Sequence, residues 1–277
     1  MKIAFFNRSF HPDVEAVGLL LTELCEELTK RYNISTTVVA GLPYYSENSQ
    51  YHKKFPFARE HYQGTKILRV WSLSLDKSKT FCRFANYVSF TILSVLAGFR
   101  LGKQDIIIAH TNPPTVPIVA FLFAKLYRAK FIYWCKEIFP ETANLLKDYH
   151  NRHMDNILNR VNRFLFKRAD KIVVIGEMMK KRLVEEKGAP EEKITIIRDW
   201  ARCDRIYPVK ESNPFKLKYG LDGKLVIMHS GNIGLAQEVE TVVEVAKAFN
   251  DRKDIVFLIV GDGARKRNYR KKPNLMV

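Results

Sequence analysis

The chain has 277 residues, 47% of them hydrophobic, so it can bury a packed core and is not intrinsically disordered. This length predicts one large domain or two of medium size. With 46 Lys and Arg against 29 Asp and Glu, the net charge of +17 favours contact with nucleic acid, acidic lipid or phosphorylated small molecules, although a basic soluble surface would have the same composition.

Four cysteines, at positions 25, 82, 135 and 203, lie far apart and form no Cys-x-x-Cys pair. This spacing argues against a zinc site or a disulfide framework and is typical of reduced, cytosolic thiols. The apolar run at the N-terminus turns polar at Asn7, which is too early for a signal peptide. We therefore expect a cytoplasmic protein.

A strand, a helix and a second strand open the chain. Lys2–Phe6 has the size of a buried strand, and Val17–Arg31 carries leucines at helical spacing with its charges largely on the other side. The loop Asn7–Ala16 connects them, and Ile34–Ala40 is the next apolar run. This order predicts a parallel sheet covered by helices.

The polar and aromatic segment Gly41–Gln63 is predicted to be a long loop, followed by a strand at Thr65–Val70. Phe84–Phe99 is an uncharged helix between basic residues, and it is shorter than the roughly 20 apolar residues that a membrane span needs. Two interpretations remain open: the helix lies on an anionic membrane face, or it covers the sheet as part of the core.

Two further strands lead into polar residues. Asp105–Ala109 is followed by His110, at the edge where functional groups of parallel sheets collect. Lys130–Trp134 is followed by a loop with Glu137 and Glu141. These two carboxylates could orient hydroxyls or transfer protons, or they could be a carboxylate at a helix start and a solvated one.

Helices and strands alternate up to residue 200. Besides the strands above, the predicted elements are the helices Val116–Tyr127, Ile157–Arg168 and Met178–Glu186 and the strands Lys171–Ile175 and Lys193–Ile197. Residues 201–222 contain two prolines and no clear period. They are predicted to link an N-terminal domain, residues 1–200, to a second domain at residues 223–277.

A glycine turn opens the second domain. The strand Leu225–Met228 passes through Ser230–Gly234 into the helix Glu238–Phe249, and a second strand, Asp254–Val260, follows. Glycines let the backbone approach a ligand, and free N–H groups with the helix dipole favour an anion, so the turn predicts a phosphate or pyrophosphate site. The alternative is a purely structural turn.

Seven short stretches, in this order, resemble the retaining glycosyltransferase family four, which has the GT-B fold. They are Phe10-His11-Pro12 with Gly18, Asp105–Ile108, Glu137–Glu141, Ala169–Ile175, Lys193–Ile197, Ser230–Gln237 and Val260–Gly263. The pattern looks most like the subgroup that adds aminosugars to lipid-linked O-antigen or capsule precursors. The resemblance implies an α/β fold of two doubly wound, Rossmann-like domains.

The resemblance also implies the substrates. The donor would be a nucleotide diphosphate-sugar, usually a UDP-sugar, held between the domains without a bound metal and transferred with retention. The acceptor would be a lipid-linked glycan precursor of cell-surface polysaccharide, met at the anionic inner face of the membrane, where a peripherally bound protein would work. The basic charge would then serve the membrane rather than nucleic acid, for which no helix-turn-helix, RNP or zinc signature is present.

Site residues are carried over from the same resemblance. Four residues would bind the donor at the glycine turn: Gly231, Asn232, Gly234 and Gln237. Gly18 would let the first domain's loop approach the donor, and His110 would face the sugar near the reacting carbon. Glu137 and Glu141 would lie near the cleft, Glu137 as a catalytic carboxylate and Glu141 on the acceptor side, with a structural role as the alternative for both.

Two departures from the family pattern qualify this expectation. The arginine and lysine that usually follow the glycine turn are replaced around Asn232 and Gln237, and no Glu-x7-Glu pattern follows Gly263. Two strands are also few for an independent domain. We therefore expect a C-terminally truncated second domain and weak turnover, with a catalytically impaired fragment or a non-catalytic membrane- or partner-binding protein as the alternative.

Overall fold

The computed structural model describes residues 1–13, 15–43, 56–73, 75, 80–142, 152–209, 213–234, 237–263 and 265–266. The chain divides into unit 1, Met1–Trp200, and unit 2, Ala201–Val277. The polar segment 44–55 and the basic tail from residue 267 onward lie outside the described residues.

Unit 1 contains alternating strands and helices. In chain order these are β1 (Lys2–Phe6), α1 (Ala16–Tyr32), β2 (Ser35–Gly41), β3 (Phe57–Tyr62), β4 (Thr65–Val70), α2 (Thr80–Gly98), β5 (Ile106–His110), α3 (Val116–Tyr127), β6 (Lys130–Trp134), α4 (Arg152–Arg168), β7 (Lys171–Val174), α5 (Glu177–Glu185), a short 3-10 helix (Glu191–Lys193) and β8 (Ile194–Ile196). The strand and helix types predicted from the apolar pattern are confirmed, with small shifts at most boundaries.

The strands form one sheet in the order β3-β4-β2-β1-β5-β6-β7-β8. All neighbouring pairs are parallel except β3 and β4, which are antiparallel. Side chains of successive strand residues face opposite sides, so Ala4 and Phe6 join one core cluster and Ile3 and Phe5 join the other. Helix α1 packs on the second cluster through Leu21, whereas α2, α3 and α4 cover the first.

The predicted loop Gly41–Gln63 is wrong at its end, because Phe57–Tyr62 forms the edge strand β3. This strand carries charged residues and lacks an apolar run, which is why the pattern concealed it. The turn into β4 consists of Gln63 and Gly64, both with positive φ (47° and 81°). A two-residue turn with positive φ at both positions is typical of a β-hairpin. The polar composition of the segment nevertheless led to the prediction of a loop.

Unit 2 contains the short helix α6 (Pro214–Lys218), β9 (Leu225–Ser230), α7 (Val239–Ala248) and β10 (Ile255–Val260). Strands β9 and β10 pair in parallel. A small apolar cluster joins α7 to this pair, made of Ile233, Val239, Val243 and Ile259. The strand–turn–helix–strand order predicted from the sequence is therefore confirmed for the described residues.

Candidate active site

Three loops at the carboxyl edge of the unit 1 sheet bring together the site residues predicted there. They follow β1, β5 and β6, and each contains a cis proline, at His11-Pro12, Asn112-Pro113 and Phe139-Pro140. The loops are neighbours because β1, β5 and β6 are adjacent parallel strands. This edge is where open α/β sheets hold their ligands.

The buried side chain of Arg69 fixes the loop after β1. Its Nε donates to Glu60 Oε2 at 2.9 Å, its Nη1 donates to the Gly41 carbonyl at 3.1 Å, and its Nη2 donates to the His11 carbonyl. The His11 ring stacks on Tyr62 with centroids 3.6 Å apart. Burial and the Arg69 charge lower the pKa of His11 against the opposing charge of Glu60, so this imidazole is mainly neutral at pH 7.

Gly18, in the first turns of α1, packs against the same loop. A Cβ atom on Gly18 would stand 3.0 Å from Ser9 Cβ and 3.1 Å from the Ser9 carbonyl carbon. One turn later, Thr22 Oγ1 donates to the Gly18 carbonyl at 2.8 Å and accepts from the His11 N–H at 3.1 Å. The absence of a side chain at Gly18 thus allows close packing of the chain's own loop, and its role towards a donor stays a prediction.

Glu15, which was not among the predicted site residues, connects two of the loops. Its carboxylate accepts hydrogen bonds from Ser9 Oγ and from Asn112 Nδ2, the latter at 3.3 Å. Burial, and secondarily the Glu15 charge, raise the pKa of Glu137. Two carboxylates that share a partly buried site in this way are a typical arrangement for proton transfer.

The backbone of Glu137 is held by the neighbouring loop. Thr111 Oγ1 accepts from the N–H groups of Lys136 and Glu137 at 3.2 and 3.0 Å. Cys135 Sγ donates to the Glu137 carbonyl at 3.4 Å. The position of this carboxylate therefore depends on contacts between the loops after β5 and β6 as well as on its own side chain.

His110 ends β5 and is 1% exposed. Its ring stacks on Trp134, with centroids 4.7 Å apart, and burial together with the charge of Lys136 lowers its pKa to about 3. Among the described residues its Nδ1 has no hydrogen-bond partner. The Lys136 ammonium pairs with Asp199 and lies 4.9 Å from the Trp134 ring centroid. The predicted catalytic His110 is thus a neutral imidazole with one unused ring nitrogen.

Glu141, predicted on the acceptor side, has a structural partner. It forms an ion pair with Lys187, whose side chain is 4% exposed. The Lys187 ammonium also donates to Asn159 Oδ1 at 2.5 Å, which ties the loop after β6 to α4. A buried cation needs such a carboxylate, so this contact alone explains the residue, while an acceptor role stays a prediction.

In unit 2, the glycine turn after β9 packs directly on a second glycine turn after β10. The N–H of Ile233 donates to the Asp262 carbonyl at 2.8 Å. A Cβ atom on Gly261 would stand 1.8 Å from the Gly231 carbonyl oxygen, and one on Gly263 would stand 2.4 Å from the Ile233 carbonyl oxygen. No side chain fits at either position, so the two turns form one continuous backbone surface.

The predicted donor-binding residues of unit 2 lie together on this surface. A Cβ atom on Gly234 would stand 2.7 Å from Asn232 Nδ2 and 2.6 Å from Gln237 Oε1. Leu235 and Ala236 lie outside the described residues. The helix α7 then begins, preceded by Glu238 at φ 42°, with no side-chain cap on its first N–H groups. Uncapped N–H groups at a helix start favour an anion.

Arg265 brings a positive charge to the glycine turns, although no arginine or lysine directly follows the first turn in the sequence. Its N–H donates to the Ile233 carbonyl at 3.0 Å. Its Nη1 donates to Glu240 Oε1 in the first turn of α7 at 2.7 Å. Nothing in the local sequence pattern indicates that the chain returns to the first turn at this residue, so sequence reasoning missed it.

A doubly wound parallel sheet with its polar loops at the carboxyl edge, followed by a unit that opens on a glycine turn, defines an α/β fold of the GT-B type. Residues 17–205 match the family model described as Glycosyltransferase Family 4, and the chain belongs to this family.

Individual relatives agree with this assignment. "Probable glycosyltransferase WbjE" of Pseudomonas aeruginosa is 28% identical over 177 residues, covering 62% of this chain and 43% of the relative. "Putative colanic acid biosynthesis glycosyl transferase WcaI" of Escherichia coli K12 is 25% identical and covers 98% of this chain and 68% of the relative. The chain therefore spans less than half of the first relative and about two thirds of the second.

Among solved structures, Anabaena HepE in complex with UDP-glucose has a TM-score of 0.61 and 13% identity, covering 100% of this chain and 68% of that one. At this identity the likeness concerns the fold.

Proposed function

We propose that the chain acts in a glycosyltransferase that moves a sugar from a nucleotide diphosphate donor to a lipid-linked glycan precursor of cell-surface polysaccharide. The observation that carries this proposal is the paired glycine turns of unit 2, where Gly231 and Gly261 approach each other through backbone alone. Backbone N–H groups and a helix start at this place suit the charge of a leaving diphosphate.

The donor is proposed to be a UDP-sugar. Membership of the family supports a sugar nucleotide, and the structurally similar HepE was crystallised with UDP-glucose. The amide groups of the turns and the guanidinium of Arg265 would carry the diphosphate charge, so the proposal needs no resident metal. Transfer with retention and an N-acetyl aminosugar as the transferred group follow from the sequence resemblance and belong to the same proposal.

The carboxyl edge of unit 1 is proposed to serve the sugar and the acceptor. His110 is neutral at physiological pH, so it would offer a hydrogen bond rather than a charge to the sugar. Glu137, with its raised pKa and with Glu15 beside it, is suited to exchange a proton with a hydroxyl group. Both roles use side chains at the carboxyl edge of the sheet, since His110 ends β5 and Glu137 follows β6.

A lipid-linked acceptor implies that the protein contacts a membrane, and α2 has an exposed apolar side suited to that contact. Its inner side packs in the core through Phe90 and Ala97, whereas Phe84 and Ile92 on its outer side are 55% and 58% exposed and Phe99, directly after its last residue, is 64% exposed. Exposed apolar side chains grouped in this way mark interaction surfaces. We propose that this outer side, with the positive charge of the chain, holds the protein peripherally at the cytoplasmic face of an anionic membrane.

The described helices include none that is long and apolar enough to cross a bilayer.

Binding of UDP by this chain tests the donor proposal most directly. Isothermal titration should give saturable binding that Asn232→Ala weakens about tenfold, which corresponds to the loss of roughly one good hydrogen bond to a charged group. Lys253→Ala removes an exposed cation from the same unit and serves as the control. Absence of UDP binding, or equal weakening by both variants, would contradict the proposal.

Transfer is tested separately, with UDP-N-acetylglucosamine and a lipid-linked acceptor in vesicles. Product formation that falls with Glu137→Gln supports catalysis. Saturable UDP binding without transfer, together with vesicle binding that nucleotide leaves unchanged, would instead favour the second candidate, a non-catalytic membrane-binding protein. The exposed apolar side of α2 is the observation that keeps this candidate open.

A further inference from the structure

A cavity of about 420 Å³ lies in unit 1, at the opposite end of the sheet from the candidate active site. The starts of β1, β2 and β4 line it together with β3 and the segment Arg100–Gln104 between α2 and β5. Its volume falls in the range of about 300–1,000 Å³ that is typical of small-molecule sites. No predicted site residue lines it, so the proposed glycosyl transfer leaves it without a role.

Five of the fourteen residues around the cavity carry a positive charge, against one carboxylate. Its basic residues are Lys2, Arg59, Lys66, Arg100 and Lys103, and His61 also lines it. Within the described part of the chain, the side chains of Arg59, Lys66 and Lys103 have no carboxylate partner. The one acidic residue of the lining, Glu60, already accepts a hydrogen bond from the buried Arg69.

Unpaired cations around one concave space repel each other, and an anion in that space relieves the repulsion. Lysine and arginine at short range are the usual partners of phosphate oxygens in proteins. Since the sheet and the segment Arg100–Gln104 give these charges a shared cavity rather than separate positions on a convex surface, the arrangement favours a bound anion over a merely solvated face.

Gln104 adds a second, independent observation. Its side chain is 5% exposed, and its Nε2 donates to the carbonyls of Leu101 and Gly102 at 3.0 and 3.4 Å, which fixes the orientation of the amide. Its Oε1, among the described residues, accepts no hydrogen bond. A buried carbonyl oxygen of this kind costs free energy until a donor reaches it, and Gln104 lines the cavity from which such a donor would come.

We infer that this cavity binds a phosphate ester that carries a hydroxyl group next to its phosphate. The cations hold the phosphate, and Gln104 Oε1 accepts from the hydroxyl. Both a free phosphorylated polyol and the headgroup of phosphatidylglycerol have this chemistry. The site shares no residue with the proposed nucleotide site of unit 2, because all of its residues belong to unit 1.

Two probes distinguish the sources. Glycerol phosphate in solution is titrated calorimetrically, and vesicles of phosphatidylcholine are sedimented with and without added phosphatidylglycerol. Saturable binding of glycerol phosphate assigns the site to free phosphate esters. Binding only to vesicles that contain phosphatidylglycerol, when it depends on the cavity residues, assigns the site to the lipid headgroup. UDP binding is measured on the same samples, so that failure of the nucleotide site is seen separately.

The double variant Lys66→Gln/Lys103→Gln should weaken binding of the effective probe at least about tenfold, since each charged contact to phosphate is strong. Its control is Lys181→Gln/Lys253→Gln, which removes the same charge at exposed positions outside the cavity. Equal weakening in both double variants, or no saturable binding of either probe, would overturn the inference.

The hydroxyl contact is tested by ligand preference. The unchanged protein should bind glycerol phosphate several-fold more tightly than methyl phosphate, which lacks the hydroxyl. In Gln104→Leu this preference should vanish, while both phosphate esters should bind with the affinity that methyl phosphate has for the unchanged protein. Circular dichroism confirms that the variant is folded. An unchanged preference in a folded Gln104→Leu protein would refute the role of Gln104.

Discussion

The carbonyl oxygen of Gly231 stands 1.8 Å from the position that a Cβ atom would occupy on Gly261. These two glycines are 30 residues apart in the chain and directly follow neighbouring parallel strands, so their contact joins two turns into one surface. The contact explains why position 261 is glycine, whichever ligand the surface binds, whereas a Cβ atom on Gly231 would meet only His229 Nε2, at 3.9 Å.

Gly261→Ala is therefore expected to displace the two turns from each other. Overpacking of this kind costs about 1–3 kcal/mol of stability, and it should also weaken UDP binding, because the turns supply the proposed amide groups. Gly176→Ala is the matched control, since a Cβ atom there meets no atom within 4 Å. Thermal unfolding and UDP titration of both variants measure these two effects. Equal Tm values and equal UDP affinities in the two variants would contradict the direct packing of one turn on the other.

Glu137→Gln should stabilise the protein at neutral pH while it lowers transfer. Burial and Glu15 raise the pKa of Glu137, so its ionised form is disfavoured in the folded state. The stability linked to this group is present below its unfolded pKa and is lost as the pH rises through its folded pKa. Denaturant unfolding should thus show a gain for Glu137→Gln near pH 7 that disappears in acid.

The exposed Glu27→Gln serves as the control for the loss of a carboxylate. In addition, Glu15→Gln should lower the pKa of Glu137, which carbon-detected NMR titration can follow. A Glu137→Gln protein that is less stable than the parent near pH 7 would show that the ionised carboxylate stabilises its loop. It would contradict the expectation that burial and Glu15 make this charge unfavourable.

The strands and helices predicted correctly from the sequence are those whose apolar side chains recur at regular strand or helix spacing. The opening strand Lys2–Phe6 and the helix Val116–Tyr127 are found where the apolar pattern placed them, because each buries a defined face in the core. The edge strand Phe57–Tyr62 was missed since an edge strand needs no continuous apolar run. Tertiary pairing with β4, rather than local composition, makes it a strand.

The site was predicted in part for a similar reason. The turn at Gly231 and Gly234 is a local signal, and the sequence located it. Glu15, Gly261 and Arg265 join the site only through contacts with distant residues: Glu15 through Asn112, Gly261 through Gly231, and Arg265 through Ile233. No spacing within the chain indicates such contacts, so one sequence without its fold could not assign them.

The ion pair between Glu141 and Lys187 separates a structural role from an acceptor role. Lys187→Met leaves the carboxylate without its partner and should cost about 3 kcal/mol, as broken buried pairs do. The double variant Lys187→Met/Glu141→Leu should recover a large part of this loss. Urea unfolding measures both, and additive losses in the double variant would show that the two residues are not coupled.

Transfer assays on Glu141→Gln then test the acceptor side. If the residue is structural, the variant loses stability and keeps the KM for the lipid-linked acceptor. A several-fold rise of that KM in a stable variant would support the predicted acceptor contact instead.

His110 should make the protein sensitive to acid. Burial and the charge of Lys136 lower its pKa to about 3, so between its unfolded value, about 6.5, and its folded value the unfolded chain binds one more proton than the folded one. Stability is fully present above the unfolded pKa and falls by about 1.4 kcal/mol per pH unit as the pH drops through this window. His110→Phe keeps an aromatic ring against Trp134 and should remove this slope. Guanidinium unfolding from pH 7 to acid measures the slopes, and an unaltered slope in His110→Phe would mean that the buried imidazole accepts its proton without unfolding.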